Sequence, residues 1–327
     1  MHVLVTGANG FVGQVLCRRL AADGHQLTAV VRDTAEGVAA IARVARVARL
    51  PAGTRESWLA QTAAGVDAVV HLAGHAHRGE ALTESSRQAF RATNVDFTRE
   101  VHAAGVAAGV AHFVFMSSCK VYGERSPAGA DGAPRPFDPE SPAHPEGPYG
   151  ESKLAAELCL RDGCRRAGMA LTILRPPLVY GPGVGGNLRS LLGALARGVP
   201  LPFGAIRNRR SLVHVESLAA IVVRCLGEPG RASGVFTPAD ITLSTPDLVR
   251  CMAGGLGRRA RLWWVPPAML RLAGRLTGHT AAMSRLTDSF VLDAGTLATT
   301  LDWRPDLDVE AAWREIGTAY WRASGRA

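Results

Sequence analysis

Tyr149 and Lys153 stand four residues apart in YGESK, at the head of a stretch patterned as a helix. At that spacing their side chains share one helical face. A phenol with an ordinary pKa of about 10 is a poor proton donor or acceptor at neutral pH. A neighbouring ammonium favours the phenolate and brings the group into a useful range for acid–base work. Of 37 basic residues only Lys120 and Lys153 are lysines, so a lysine at this spacing stands out from an arginine background. Ser117 and Ser118 close the apolar run HFVFM. A serine at the carboxyl end of a buried strand sits where ligands of open parallel sheets bind. Its hydroxyl can donate to a carbonyl oxygen and polarise it. Ser118 is preferred to Ser117 for its offset from Val121-Tyr122-Gly123. Ser118, Tyr149 and Lys153 are the candidate catalytic residues, suited to moving a proton at a carbonyl or alcohol oxygen.

A second group of residues suits a dinucleotide. Residues 2–6 are apolar and lead into GANGFVG, with Gly7, Gly10 and Gly13, then an amphipathic stretch, then QLTAVVR. Strand, glycine turn, helix and strand within about 30 residues make one βαβ unit. Such glycines allow a tight turn and the close approach of a diphosphate, which the helix N-terminus then favours. An NAD site places an acidic side chain at the end of the second strand to accept from the ribose 2′-hydroxyl. This chain has Val31-Arg32-Asp33 there. The Arg32 guanidinium suits a 2′-phosphate, so NADP(H) is favoured. NAD(H) stays possible through Asp33.

The elements that position these residues continue the alternation. Residues 66–73, 111–117 and 170–175 read as buried strands, and 93–109 and 150–167 as helices. Such alternation predicts a parallel sheet covered on both faces. Residues 124–148 interrupt it with seven of the 19 prolines and predict a long loop, read as a lid. After residue 176 the pattern becomes turn-rich. A helix is expected at 188–198, a strand running into a helix at 211–226, a strand-like LWWV at 262–265, and an amphipathic segment at 268–278. The expected organisation is a dinucleotide-binding domain over 1–177, with returns near 211–237, and a smaller lobe formed mainly by 178–327. The segment Trp263–Gly278 is read as a lobe helix with one buried face in preference to one lying on a membrane surface.

Composition narrows the function classes. With 47% hydrophobic and 20% charged residues over 327 positions, the chain is an ordinary globular one. The net charge of +9 comes from scattered arginines with no nucleic-acid reading motif, so a nucleic-acid partner is not expected. Apolar runs stop short of a membrane span. Neither a basic leader nor a cleavage site is visible, and a cytoplasmic location is expected. The six cysteines form no CxxC pair, and His71, His75 and His77 lack a metal-binding frame, so no metal is expected.

TGANGFVG (6–13), HLAG (71–74), Asn94, SSCKVYG (117–123), YGESK (149–153), RPPLVYGPG (175–183), RRSLVHVESLA (209–219) and LDWRP (301–305) together resemble the extended short-chain dehydrogenase/reductase family, in its nucleotide-sugar branch. The resemblance implies a Rossmann-type α/β fold, a doubly wound parallel sheet with a smaller C-terminal substrate-binding lobe. It implies Ser118, Tyr149 and Lys153 as catalytic residues, with Tyr149 and Lys153 also touching the cofactor. Cofactor contacts would come from Gly7, Asn9, Gly10, Phe11, Val12, Gly13, Arg32, Leu72, Ala73, Gly74 and Asn94. Substrate contacts would come from Lys120, Asn187, Arg210 and Arg285. Within the branch the motifs resemble bacterial surface-polysaccharide enzymes that reduce UDP-4-keto-6-deoxy-hexosamines. The implied activity is C4-keto reduction of a UDP-linked sugar with NADP(H), or 4-epimerisation with retained NAD. A 4,6-dehydratase is not expected, because Cys119-Lys120 replaces the Asp-Glu pair that such enzymes carry after the serine. A homodimer through the helices at 93–109 and 150–167 is also implied.

Overall fold

The computed structural model describes residues 1–32, 37–51, 55–75 and 83–325. Among them ten strands form: β1 (His2–Thr6), β2 (Gln26–Val31), β3 (Arg46–Arg49), β4 (Ala68–His71), β5 (His112–Met116), β6 (Ala170–Leu174), β7 (Leu178–Tyr180), β8 (Arg210–His214), β9 (Gly234–Phe236) and β10 (Ile241–Leu243). Seven make one parallel sheet in the order β3-β2-β1-β4-β5-β6-β9. The order reverses between β1 and β4, the point where open α/β sheets bind ligands at the strands' carboxyl ends. The remaining three strands form a small sheet, β10-β8-β7.

Both faces of the main sheet are buried, which explains why its strands read as continuous apolar runs. Val3 and Val5 face Leu16, Leu20, Leu218 and Val222 on the helices Phe11–Ala22 and Val215–Gly227. Leu4, Val69, Phe113 and Phe115 face the other way, toward helices Phe97–Ala107 and Pro148–Ala167. The fold is the parallel sheet expected from the alternation, in the Rossmann-type doubly wound form that the family resemblance implies. A separate core in the second half gathers Tyr180, Leu188, Leu192, Val249, Met252 and Trp313. Partly buried Phe11, at the head of the first helix, packs against this core and the main one.

Several elements differ from expectation. The helix expected at 93–109 begins earlier, at Glu84, and passes through a π-helical turn, Ala92–Asp96, before Phe97–Ala107. Its first turns are polar and start at Thr83, whose side chain forms a capping box with Ser86, so apolar periodicity could not reveal them. LWWV contributes one bridging residue, Leu262 opposite Leu201, in place of a strand. The 124–148 loop, read as a lid, is tied to the lobe along one side. Ser126 and Phe137 hydrogen-bond the 289–293 segment, and Phe137 stacks on Tyr122 at 4.9 Å. Among the described residues no helix is long and apolar enough to cross a membrane.

Candidate active site

The glycine turn joins β1 to the helix Phe11–Ala22. Gly7 has φ +67°, and a Cβ there would come within 2.8 Å of the Ala73 nitrogen, so the turn can lie against the end of β4 only as glycine. A Cβ on Gly13 would meet the Gly7 carbonyl oxygen at 2.4 Å. Gly13 therefore packs the helix onto the turn rather than lining the space above it. That space is a cleft of ≈ 730 Å³ lined by Gly7, Asn9, Gly10, Arg32, Leu72, Ala73 and Gly74, with Arg49 beside them. Phe11 and Val12 supply the first turn of the helix, whose amide groups face outward from the sheet edge. The cradle, its glycines and its size suit a dinucleotide. Arg32 is exposed, and Asp33 lies outside the described residues.

Asn94 is fully buried in the π-helical turn, a feature that often marks functional sites. Its amide donates to the His75 carbonyl at 3.1 Å and to Ser152 Oγ at 2.9 Å, and its Oδ1 accepts from the His75 amide at 2.7 Å. It thus ties the segment after β4 to the helix that carries Tyr149 and Lys153. A Cβ on Gly74 would lie 3.0 Å from Lys153 Nζ and 3.2 Å from Asn94 Oδ1, so the three residues meet at the cleft's inner end.

Ser118, Tyr149 and Lys153 converge beyond that end. The Ser118 hydroxyl lies near enough to the Tyr149 phenol to weigh on its titration, and it accepts from the Lys120 amide at 3.2 Å, capping the turn Cys119–Tyr122. Ser117 turns the other way, into the protein. Lys153 is 4% exposed; its Nζ donates to the Met116 carbonyl at 2.9 Å and lies 4.9 Å over the Phe115 ring. Burial pulls the ammonium down to about 8, partly opposed by Glu157. Burial pushes the Tyr149 phenol up to about 12, with the nearby Ser118 hydroxyl working against it. The expected lowering by Lys153 does not govern this phenol; the ammonium donates to the Met116 carbonyl.

Composition and spacing did not reveal the support behind the three. Glu157, fully buried, accepts from Ser117 Oγ and from Arg175 through two bonds of 3.0 and 2.6 Å. The Arg175 guanidinium covers the Tyr122 ring at 4.8 Å, and Tyr122 donates to the Asp138 carbonyl. Gly150 was missed too. A Cβ there would stand 2.6 Å from the Lys120 carbonyl oxygen, so only glycine lets the Tyr149 helix approach the Ser118 turn this closely. A glycine inside a helical pattern was the available signal. Gly150→Ala is expected to lower turnover roughly 10-fold by displacing Tyr149 from Ser118 while cofactor affinity is kept. Steady-state kinetics beside a cofactor titration check it.

Of the expected substrate residues, three gather. Arg210 is largely buried, donates to the Asp288 carbonyl at 3.1 Å, and feels the charges of Glu124, Asp288 and Arg285. Lys120 pairs with Glu124 at 2.5 Å and lies 5.7 Å from the Phe290 ring, next to Arg210 in the strand bridge. Asn187 stands exposed in the first turn of helix Gly186–Ala196, and no described contact brings it to this group. His71 is a core histidine, bonded to Thr6 at 2.7 Å and Thr98 at 2.9 Å, and burial lowers it to about 3. His77 lies outside the described residues. Among those described, no group of three His, Cys, Asp or Glu could hold a metal ion.

The model of the NAD dependent epimerase/dehydratase family matches residues 3–236, which spans the turn, the cleft and all three converging side chains. The chain belongs to this family. It is an extended short-chain dehydrogenase/reductase enzyme of the nucleotide-sugar branch, and the family's relatives bear this out. A UDP-glucose 4-epimerase of Vibrio cholerae is 34% identical over 79% of this chain and 78% of its own length. An N-acetyl-alpha-D-glucosaminyl-diphospho-ditrans,octacis-undecaprenol 4-epimerase of Escherichia coli O157:H7 is 32% identical over 68% of this chain and 62% of its own. Among solved structures, the UDP-glucuronic acid 4-epimerase of Bacillus cereus in complex with NAD shares the fold, with TM-score 0.79, 18% identity, and coverage of 100% of this chain and 98% of that one.

Proposed function

We propose that this family member reduces the C4 keto group of a UDP-linked amino sugar, such as UDP-4-keto-6-deoxy-N-acetylglucosamine, with NADPH. The observation that carries this reading is Arg32 at the cofactor cleft. It follows β2 and lines the cleft together with Arg49 and Arg55; no carboxylate does so among the described residues. The cofactor's adenosine ribose belongs at the end of the second strand, where guanidinium groups favour a 2′-phosphate.

The glycine turn with Asn9, the amides at Phe11 and Val12, and the segment Leu72–Gly74 would hold the dinucleotide. Lys153 would hold its nicotinamide ribose. Bound there, the nicotinamide supplies a hydride. The Tyr149 phenol, kept neutral by its burial, donates its proton to the C4 oxygen. Ser118 donates a hydrogen bond to that same oxygen and polarises the carbonyl. The Lys153 ammonium offsets the charge left on Tyr149. Asn94 acts as a positioning residue, since its bonds run to the His75 backbone and Ser152. Arg210, Arg285 and Lys120 would contact the diphosphate, and Asn187 would be a further substrate contact. Exposed Val106 and Leu158, on helices Phe97–Ala107 and Pro148–Ala167, would contribute to a homodimer through those helices, which light scattering would detect.

A second reading, 4-epimerisation of a UDP-hexose or UDP-N-acetylhexosamine with retained NAD, uses the same residues. The Vibrio cholerae relative favours it. Dehydration is set aside because Cys119, whose thiol burial pushes up to about 11, offers no acid in place of the carboxyl pair. Release of nucleotide by heat, followed by titration with NADPH and NADH, separates the two readings. Arg32→Ala is expected to weaken NADPH roughly 10-fold and leave NADH unchanged. Stoichiometric NAD in the purified protein, with no NADPH preference to lose, would decide for the epimerase.

A further inference from the structure

The helix Pro267–Leu276 has the one buried face expected and a second apolar face that is exposed. Leu270 and Gly274 face the lobe, and a Cβ on Gly274 would lie within 2.5 Å of Met283. Met269, Leu272 and Leu276 recur at i, i+3 and i+7 and so share a second face, which points to solvent; Leu276 is 79% exposed. Trp263 and Trp264, the latter 74% exposed, precede the helix. Of the ten large apolar side chains left exposed among the described residues, five fall between 263 and 276. Their backbone is fixed: the Trp263 amide donates to Leu201 and its carbonyl accepts from Gly204, both at 2.9 Å.

Within the segment itself the charge is of one sign. Residues 256–287 hold six arginines and no Asp or Glu. Arg258, Arg259, Arg261 and Arg275 are exposed and make no ion pair with any described residue. Arg271 pairs with Asp288 at 2.9 Å, and the Asp288 carbonyl accepts from Arg210. The face therefore adjoins the group gathered around Arg210. Tryptophans beside an amphipathic helix with arginines at its border are what the headgroup layer of a bilayer accommodates. A second copy of this chain would bring four such arginines against four, with no carboxylate in the segment to answer them. We propose that the Trp263–Leu276 face docks the enzyme on an anionic lipid bilayer.

The purified full-length chain should sediment with phosphatidylcholine–phosphatidylglycerol vesicles roughly 10-fold better than with phosphatidylcholine alone. Salt should weaken the binding as the screening length shrinks. Vesicles should shift tryptophan emission to the blue. Trp264→Ser with Leu276→Ser should lower binding to the anionic vesicles roughly 10-fold and abolish the shift. Arg258→Gln with Arg259→Gln should weaken binding to the anionic vesicles only. None of these residues belongs to the cleft or the converging group, so NADPH titration and melting temperature report that the variants are folded. Equal binding to both vesicle types, or anionic binding that survives the Trp264/Leu276 change, overturns the proposal. It is overturned too if that change lowers the molecular mass in light scattering while vesicles bind neither form, since the face then belongs to a second copy.

Discussion

Tyr149→Phe is expected to lower turnover by about 10³-fold while NADPH affinity stays within a factor of two of the parent, because one oxygen is removed and the ring's packing is kept. The phenol is the acidic group placed beside the Ser118 hydroxyl, and nothing next to it can take over proton donation. Cys119, the nearest alternative, is buried with its thiol pushed up to about 11. The pH profile adds an independent readout. In a reduction, Tyr149 must be protonated and Lys153 charged to offset the phenolate. Burial lowers Lys153 to about 8 and raises Tyr149 to about 12, so the lysine is the first to lose its proton as pH rises. Reductive turnover should therefore fall above about pH 8, and below it show no loss from these two groups. A turnover in Tyr149→Phe equal to the parent, with the same alkaline limb, would place the proton donor elsewhere.

The parts of this site that were legible in the sequence are those whose geometry is local. Gly7, Gly10 and Gly13 lie within one turn, and Tyr149 and Lys153 within one helical turn, so spacing alone sets their relation. The choice between Ser117 and Ser118 depends on which way each faces at the end of β5: Ser117 bonds Glu157, while Ser118, the one the offset from Val121-Tyr122-Gly123 pointed to, caps the turn that follows. Glu157 and Arg175 were not legible. One is a charged residue in a helix rich in them, the other one arginine among many. Only the parallel packing of β5, β6 and the helix Pro148–Ala167 brings them together with Ser117. The sheet could be read from its buried strands, but the polar start of the helix at Glu84 could not, since side-chain capping and not apolar burial begins it. The outward face of Pro267–Leu276 escaped for a related reason. Amphipathic patterning shows that a helix has apolar positions, and only packing against Met283 shows which of them are covered.

That buried pair carries the largest expected effect on stability. Arg175→Ala would leave the Glu157 carboxylate fully buried, with Ser117 as its remaining hydrogen-bond donor. Removing one partner of a buried pair of this kind costs about 3–5 kcal/mol, part of which the Lys153 ammonium one helical turn away offsets. The gap above the Tyr122 ring, which the guanidinium now covers at 4.8 Å, adds to the loss. Urea unfolding of the variant should show the midpoint lowered accordingly, with the slope unchanged. Replacing both partners, Glu157→Met with Arg175→Met, should recover most of that stability, because two apolar side chains fill the space without a stranded charge. Catalysis should not recover with it. Glu157 also lies one helical turn from Lys153 and holds up its ammonium, so removing the carboxylate should move the alkaline limb of the turnover profile further down. A double variant that regains stability but loses activity at a lower pH than the parent would separate the pair's two roles. Equal stability of Arg175→Ala and the parent would mean that Ser117 and the Lys153 ammonium fully compensate the buried carboxylate.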